Sequence, residues 1–216
     1  MAVFGWSRAE LVAPAPTLLL LDKDGVFLAE VGTEDGGEAG YWALPDPPER
    51  VVAATLAAED RRIAWHPGVD PIAIGRAVKQ NVLHQRRVSG ASTLAMQVAR
   101  MQAPGRRTYL RKGQEAIAAL AITSRYGHED VLRHYLRIAP YGNRCRGVAY
   151  AARRYFDKPV EDLTWAEAAF LAARPQAPGR MNPLVPDGRI AAEARARRIL
   201  DILRDDGTID AAEHAR

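Results

Sequence analysis

The stretch ERVVAATLAAEDRRIAWHPGVDPIAIG, Glu49 to Gly75, decides the fold, because one helix ends and another begins inside it. Val52, Leu56 and Ile63 recur at helical spacings, which predicts an α-helix over 49–65. His66-Pro67 closes it, since a residue before proline is pushed out of helical geometry. Asp70 then stands where a cap belongs and Pro71 in a first turn, so a second helix is expected to about Leu83. Glu59-Asp60 thus lies towards the carboxyl end of the first helix, and His66 lies in the turn that follows.

Upstream of this stretch, Leu18 to Leu21 and Val26 to Val31 flank Asp22-Lys23-Asp24-Gly25 and predict a short β-hairpin, the one clear β signal. Glu34 to Pro48, rich in Gly, Pro and Asp, reads as a loop. Downstream the chain reads as nearly all helix. Leu94, Val98 and Met101 share one face of a third helix, ended by Pro104-Gly105. Thr108 can cap a fourth, which runs through Tyr126 and exits at Gly127. Further helices are expected over Glu129 to Ile138, Gly147 to Phe156, Trp165 to Ala173 behind a Thr164/Glu167 capping box, and Ile190 to Leu203. The class is therefore mainly α, with about eight helices and one hairpin.

A chain of 216 residues at 48% hydrophobic composition can bury one sizeable core. We expect a single domain over 1–216, with the hairpin and loop in 1–48, a helical catalytic core in 49–206, and the start of a further segment in 207–216. Thr208 to Arg216 reads as a newly capped helix that stops abruptly, which is expected of a piece of a longer protein. The most apolar short run, Thr17 to Leu21, is far below the roughly 20 residues that a spanning helix needs. One cysteine, Cys145, excludes an internal disulfide framework and reads as a small packing residue. Thirty Lys and Arg against 26 Asp and Glu give a net charge of +4, a mild bias towards anionic partners.

Two carboxylates stand out. The macrodipole at a helix carboxyl end nudges a carboxylate towards basicity, so Glu59 beside a cleft can serve as a base; a solvated pair beside Arg61 and Arg62 is the alternative. Glu115 precedes small apolar residues and reads as part-buried, either in the site or in an ion pair with Arg111 one turn earlier. Two carboxylates on one cleft suit chemistry at a sugar anomeric centre. Seven cations, Arg86, Arg87, Arg100, Arg106, Arg107, Arg111 and Lys112, concentrate between 86 and 112, and guanidinium groups grip phosphate oxygens in a fork. Ser92 and Thr93 add hydroxyls at a helix start, where free N–H groups favour anions. A solvated basic face is the plain reading of the same cations. Nucleic acid fits them poorly, because Tyr109 is the one aromatic among them. His66 is expected to fix the loop carrying Glu59 rather than to bind a metal.

The run AAEDRRIAWHPGVD, Ala57 to Asp70, resembles the first motif of glycosyltransferase family 51, the peptidoglycan glycosyltransferases. GASTLAMQVAR, RKGQE, VLRHYL and AARRYFDK, starting at Gly90, Arg111, Val131 and Ala151, resemble the second to fifth motifs in order. WHPGVDP, TLAMQVAR and RPQAPGRMNP look like the 1C type of class A penicillin-binding protein, which implies a transpeptidase beyond these residues. The resemblance implies a lysozyme-like helical domain with a small, membrane-touching jaw lobe, acting on undecaprenyl-pyrophosphate-linked sugars outside the cytoplasmic membrane. It implies Glu59 as general base, and Glu115 assisting pyrophosphate departure directly or through a divalent cation, magnesium or manganese. Asp60, His66, Ser92, Thr93, Gln97, Arg100, Arg111 and Lys112 then line the substrate site. The implied partners are lipid II, the growing glycan strand, the membrane surface and other cell wall synthesis proteins, with no nucleic acid; the apolar Val78, Val82 and Leu83 read either as part of a membrane-facing lobe or as ordinary helix core.

The chain departs from the family pattern at several positions. Ile63, Met96 and Arg100 stand for Phe, Gln and Lys. Thr123 stands where Glu often closes the third motif, Arg133 and Arg137 where Glu and Asn are usual, and Asp157 where Gly is usual. Three rival readings follow: a precursor-binding scaffold without catalysis, a lytic transglycosylase or other lysozyme-like hydrolase, and, from charge alone, a nucleic-acid-binding module.

Overall fold

In the structure, a computed structural model describing residues 9–23, 27–31, 37–83, 91–106 and 108–215, helix α1 spans Glu49–Glu59 and stops short of the expected Trp65. Beyond Glu59 the backbone tightens to three-residue bonds, Ile63 N–H to Asp60 at 3.1 Å and Trp65 N–H to Arg62 at 2.8 Å. Ile63–Trp65 is therefore a single 3₁₀ turn. Apolar periodicity runs on past Glu59, but the Asp60 carboxylate is drawn to partners outside the helix.

Helix α2 covers Pro71–Leu83, and the expected cap is present: Asp70 Oδ1 accepts the Ala73 N–H at 2.9 Å. Helix α3 covers Leu94–Gln102 and is capped by Thr93, whose hydroxyl accepts from the Met96 N–H. Helix α4 covers Tyr109–Ile138 and is broken at Gly127, whose φ of 76° and ψ of 172° divide it where the sequence places an exit. Helices α5 at Val148–Phe156 and α6 at Trp165–Ala173 follow, the latter with its Thr164/Glu167 capping box complete. Helix α7, Pro186–Asp205, begins earlier than expected because Pro186 sits in its first turn. The short α8, Ala211–Ala215, is capped by Asp210 and Glu213, whereas Thr208 bonds back to Asp206.

Strands β1, Leu18–Leu21, and β2, Phe27–Val31, form the expected antiparallel hairpin; Asp24, Gly25 and Val26 lie outside the described residues. Short pairings of β3, Ala39–Gly40, with β5, Cys145–Arg146, and of β5 with β4, Pro140–Gly142, add a three-stranded sheet that the sequence did not signal. Two- and three-residue strands are too short to show an alternation. Among the described residues, no helix is long and apolar enough to cross a membrane.

The chain divides into two compact units. One comprises 1–12 and 59–135, and its buried residues include Leu94, Met96, Val98, Ala119, Ile122 and Val131. The other comprises 13–58 and 136–216, where α6 lies along α7 and the buried set includes Leu136, Tyr141, Leu163, Leu171 and Leu203. Cys145 is buried there as a packing residue, and burial pushes its thiol up to about 12.

Candidate active site

All ten candidate site residues fall in the unit formed by 1–12 and 59–135. Glu59 is the last residue of α1, nearer the helix end than the sequence placed it, and its Oε2 accepts a hydrogen bond from Gln97 Nε2 of α3 at 2.8 Å. Residues from the first and second motifs are thereby joined.

Asp60 is the anchor of the arrangement. It is 7% exposed, which excludes the solvated-pair reading for this carboxylate. Oδ2 accepts the Leu94 N–H at 3.0 Å, and Oδ1 lies 2.9 Å from His66 Nε2. The first turn of a helix has N–H groups without intrahelical partners, and here Asp60 satisfies one while Thr93 satisfies another. Arg62 turns instead to Asp70, with Nε at 3.0 Å and Nη2 at 2.5 Å from Oδ2. Burial on its own raises the Asp70 carboxyl, but the hydrogen bonds from Arg62 and the Ala73 N–H hold it below the ordinary carboxylate value.

The tautomer of His66 follows from its neighbours. Gly68 N–H donates to His66 Nδ1 at 3.1 Å, so that nitrogen carries the lone pair and the ring proton sits on Nε2, facing Asp60. An imidazolium would set two N–H groups against each other at Nδ1. His66 thus fixes the loop after Glu59, as expected of it, and it is 5% exposed.

Thr93 completes the loop's anchorage. Its hydroxyl donates to the Gly68 carbonyl at 2.6 Å and accepts the Met96 N–H at 3.2 Å. Both hydrogen-bonding roles of this buried group are used inside the protein, so Thr93 holds the loop in place. Gly68 has a φ of +111°, and a Cβ there would lie 2.6 Å from the Ala119 carbonyl oxygen and 2.7 Å from Thr123 Oγ1. Only glycine fits between the loop and α4.

The remaining candidates are more dispersed. Ser92 is half-buried ahead of the cap, and Arg100 lies in the last turn of α3, where a cation complements the helix dipole. Arg111 donates to the Ala103 carbonyl rather than to Glu115, which removes the simple ion-pair reading. Glu115 and Lys112 are half-buried on α4. Among the described residues no three His, Cys, Asp or Glu side chains form a group able to hold a metal ion. Arg86, Arg87 and Arg107 of the basic cluster lie outside the described residues, as do the side chains of Val78 and Val82.

Sequence reasoning missed the Leu94 N–H, the Arg62–Asp70 clamp and His128. His128 Nε2 is 2.8 Å from the His66 carbonyl oxygen, and the two rings meet edge-on at 6.1 Å. A capping aspartate and an arginine eight residues away were visible signals for the clamp. A helix N–H and a remote histidine leave none.

Three of the departures from the family pattern, Arg133, Arg137 and Asp157, have local accommodations. Arg133 pairs with Glu129 and Asp130 on the exposed side of α4. Arg137 Nε donates to the Tyr41 carbonyl at 2.8 Å. Asp157 occupies the left-handed region, with φ of 54° and ψ of 37°, at the end of α5, which explains why glycine suits that position. Thr123 packs beside Gly68, and its buried hydroxyl has no hydrogen-bond partner among the described residues.

A family model described as Transglycosylase matches residues 24–204. Penicillin-binding protein 1A of Rickettsia felis is 42% identical over 97% of this chain and 27% of its own length. The 1A protein of Haemophilus influenzae is 35% identical over 96% of this chain and 23% of its length, and protein 1F of Bacillus subtilis 34% over 90% and 27%. The chain spans about a quarter of the length of these relatives. A crystal structure of penicillin-binding protein 1A from Haemophilus influenzae aligns with a TM-score of 0.49 at 22% identity, covering 94% of this chain and 20% of that one.

Proposed function

Because the chain belongs to the transglycosylase family, we propose that it is an inverting peptidoglycan glycosyltransferase, polymerising lipid II into β-1,4-linked glycan strands with release of undecaprenyl pyrophosphate. The observation that carries the reading is the Gln97–Glu59 hydrogen bond, which fixes one carboxylate oxygen next to the locked Asp60. A base held in one orientation loses little freedom as it accepts a proton.

In this scheme Glu59 removes the proton of the acceptor 4-hydroxyl as that oxygen attacks C1 of the donor sugar. The C1–O bond on the opposite face breaks, its electron pair leaves with the pyrophosphate, and the α linkage becomes β. Gln97 and Asp60 hold the base, while His66 and Thr93 hold Asp60 and its loop. Ser92, Arg100, Arg111 and Lys112 bind the donor and its pyrophosphate, and Glu115 assists departure. A magnesium or manganese ion is a candidate aid to that departure.

The natural setting of such a reaction is the outer face of the bacterial cytoplasmic membrane, with other cell wall synthesis proteins as neighbours. Leu83, 69% exposed on α2, belongs to the side proposed to touch the bilayer. The test is incubation with fluorescent lipid II and a gel read for a glycan ladder, beside incubation with purified glycan strands. A ladder from lipid II supports the reading; shortening of the strands without a ladder would favour a lytic enzyme. Lipid II binding without a ladder would favour the scaffold.

A further inference from the structure

His128 stands at the first position after the break in α4, where Gly127 adopts a φ of 76°. A Cβ at Gly127 would meet nothing within 4 Å, so glycine is there for its backbone conformation rather than for space. The break redirects the helix at the residue that carries the imidazole. His128 Nε2 lies 2.8 Å from the His66 carbonyl oxygen, and a carbonyl can only accept, so Nε2 bears the proton and donates. The ring edge-on to His66, at an interplanar angle of 87°, adds a second contact between the same residues.

The His66 carbonyl begins the Pro67-Gly68 turn, whose Gly68 N–H selects the His66 tautomer that donates to Asp60. We propose that His128 is a positioning residue for Glu59, holding the backbone of His66 so that the His66 ring, Asp60 and the end of α1 stay in register. Neither the spacing of the motifs nor the hydrogen bonds of Glu59 itself assign this role, which rests on Glu59 being the base. The relay is a series of four contacts: His128 to the His66 carbonyl, Gly68 to the His66 ring, that ring to Asp60, and Asp60 to Leu94.

The test compares His128→Leu, which removes the donor, with His128→Gln, which returns an N–H at similar reach. Lipid II polymerisation is read as kcat and KM, melting temperature is recorded for each variant, and the His66 ring nitrogens are followed by ¹⁵N NMR without substrate. Misplacing a base by a fraction of an ångström lowers kcat about tenfold or more for His128→Leu, with KM little changed. His128→Gln is expected to restore most of that loss, and the His66 ring signals should move in the Leu variant but not in the Gln variant. Equal kcat in all three proteins, or a loss in both variants that only follows their melting temperatures, would overturn the proposal. A parent protein that polymerises nothing would sink the functional reading alone, because the NMR arm still reports whether His128 sets the His66 ring.

Discussion

Asp60 Oδ2 accepts the backbone N–H of Leu94 at 3.0 Å, so the residue after the proposed base fills the open first turn of α3. Both oxygens of this carboxylate face donors, since Oδ1 faces the Nε2 proton of His66. Asparagine would offer one acceptor and one amide donor to two donors. Rotating the amide does not help, and a change of His66 tautomer would press its Nδ1 proton against the Gly68 N–H. Asp60→Asn is therefore expected to cost about 2 kcal/mol of stability, the penalty for stranding a buried donor. Urea unfolding measures it, and a change below about 0.5 kcal/mol, the scatter of ordinary surface substitutions, would contradict the network.

Two glycines separate strain from crowding. Gly68→Ala combines a φ of +111° with a Cβ only 2.6 Å from the Ala119 oxygen, and is expected to cost about 3 kcal/mol. Gly127→Ala meets open space, but its φ of 76° with ψ of 172° lies in a region that side-chain-bearing residues scarcely adopt, so it carries backbone strain alone, about 2 kcal/mol. Thermal melts of both variants check the order; a Gly127 variant as destabilised as the Gly68 variant would contradict the open space around the break in α4.

Acid sensitivity should trace partly to Asp70. Burial raises its carboxyl, and the Arg62 and Ala73 hydrogen bonds more than reverse this, so its folded value lies below the ordinary one. A group depressed on folding stabilises above its unfolded pKa and loses that contribution as pH falls through the folded value. The parent should therefore lose part of its stability on going from neutral pH to pH values below the ordinary carboxylate range. Asp70→Asn should start lower and lose less over the same interval. Melting temperatures against pH decide this, and parallel curves would contradict it.

The helical class, the Asp70 and Thr164 caps and the break at Gly127 were legible because each is written locally, in periodicity or in the residue types that terminate helices. The end of α1 was not. Leu56 and Ile63 extend the apolar pattern past Glu59, and only a partner 34 residues away, the Leu94 N–H, draws Asp60 out of the helix. The short β3, β4 and β5 pairings escaped for a related reason, since strands of two or three residues have no period to read. Within the site, Glu59, Asp60, His66, Thr93 and Gln97 come together through hydrogen bonds. Spacing alone could name them but not join them. The same limit hid His128, which approaches His66 across 62 positions of sequence.

The most direct test of the account is polymerisation of fluorescent lipid II by the parent chain and by Glu59→Gln, with lipid II binding measured for both. Glutamine keeps the shape of the side chain and its contact with Gln97 but removes the base. The account predicts a glycan ladder from the parent and a rate at least about a hundredfold lower from the variant, with binding retained. Equal rates from the two proteins, or lipid II bound by the parent with no ladder, would contradict it.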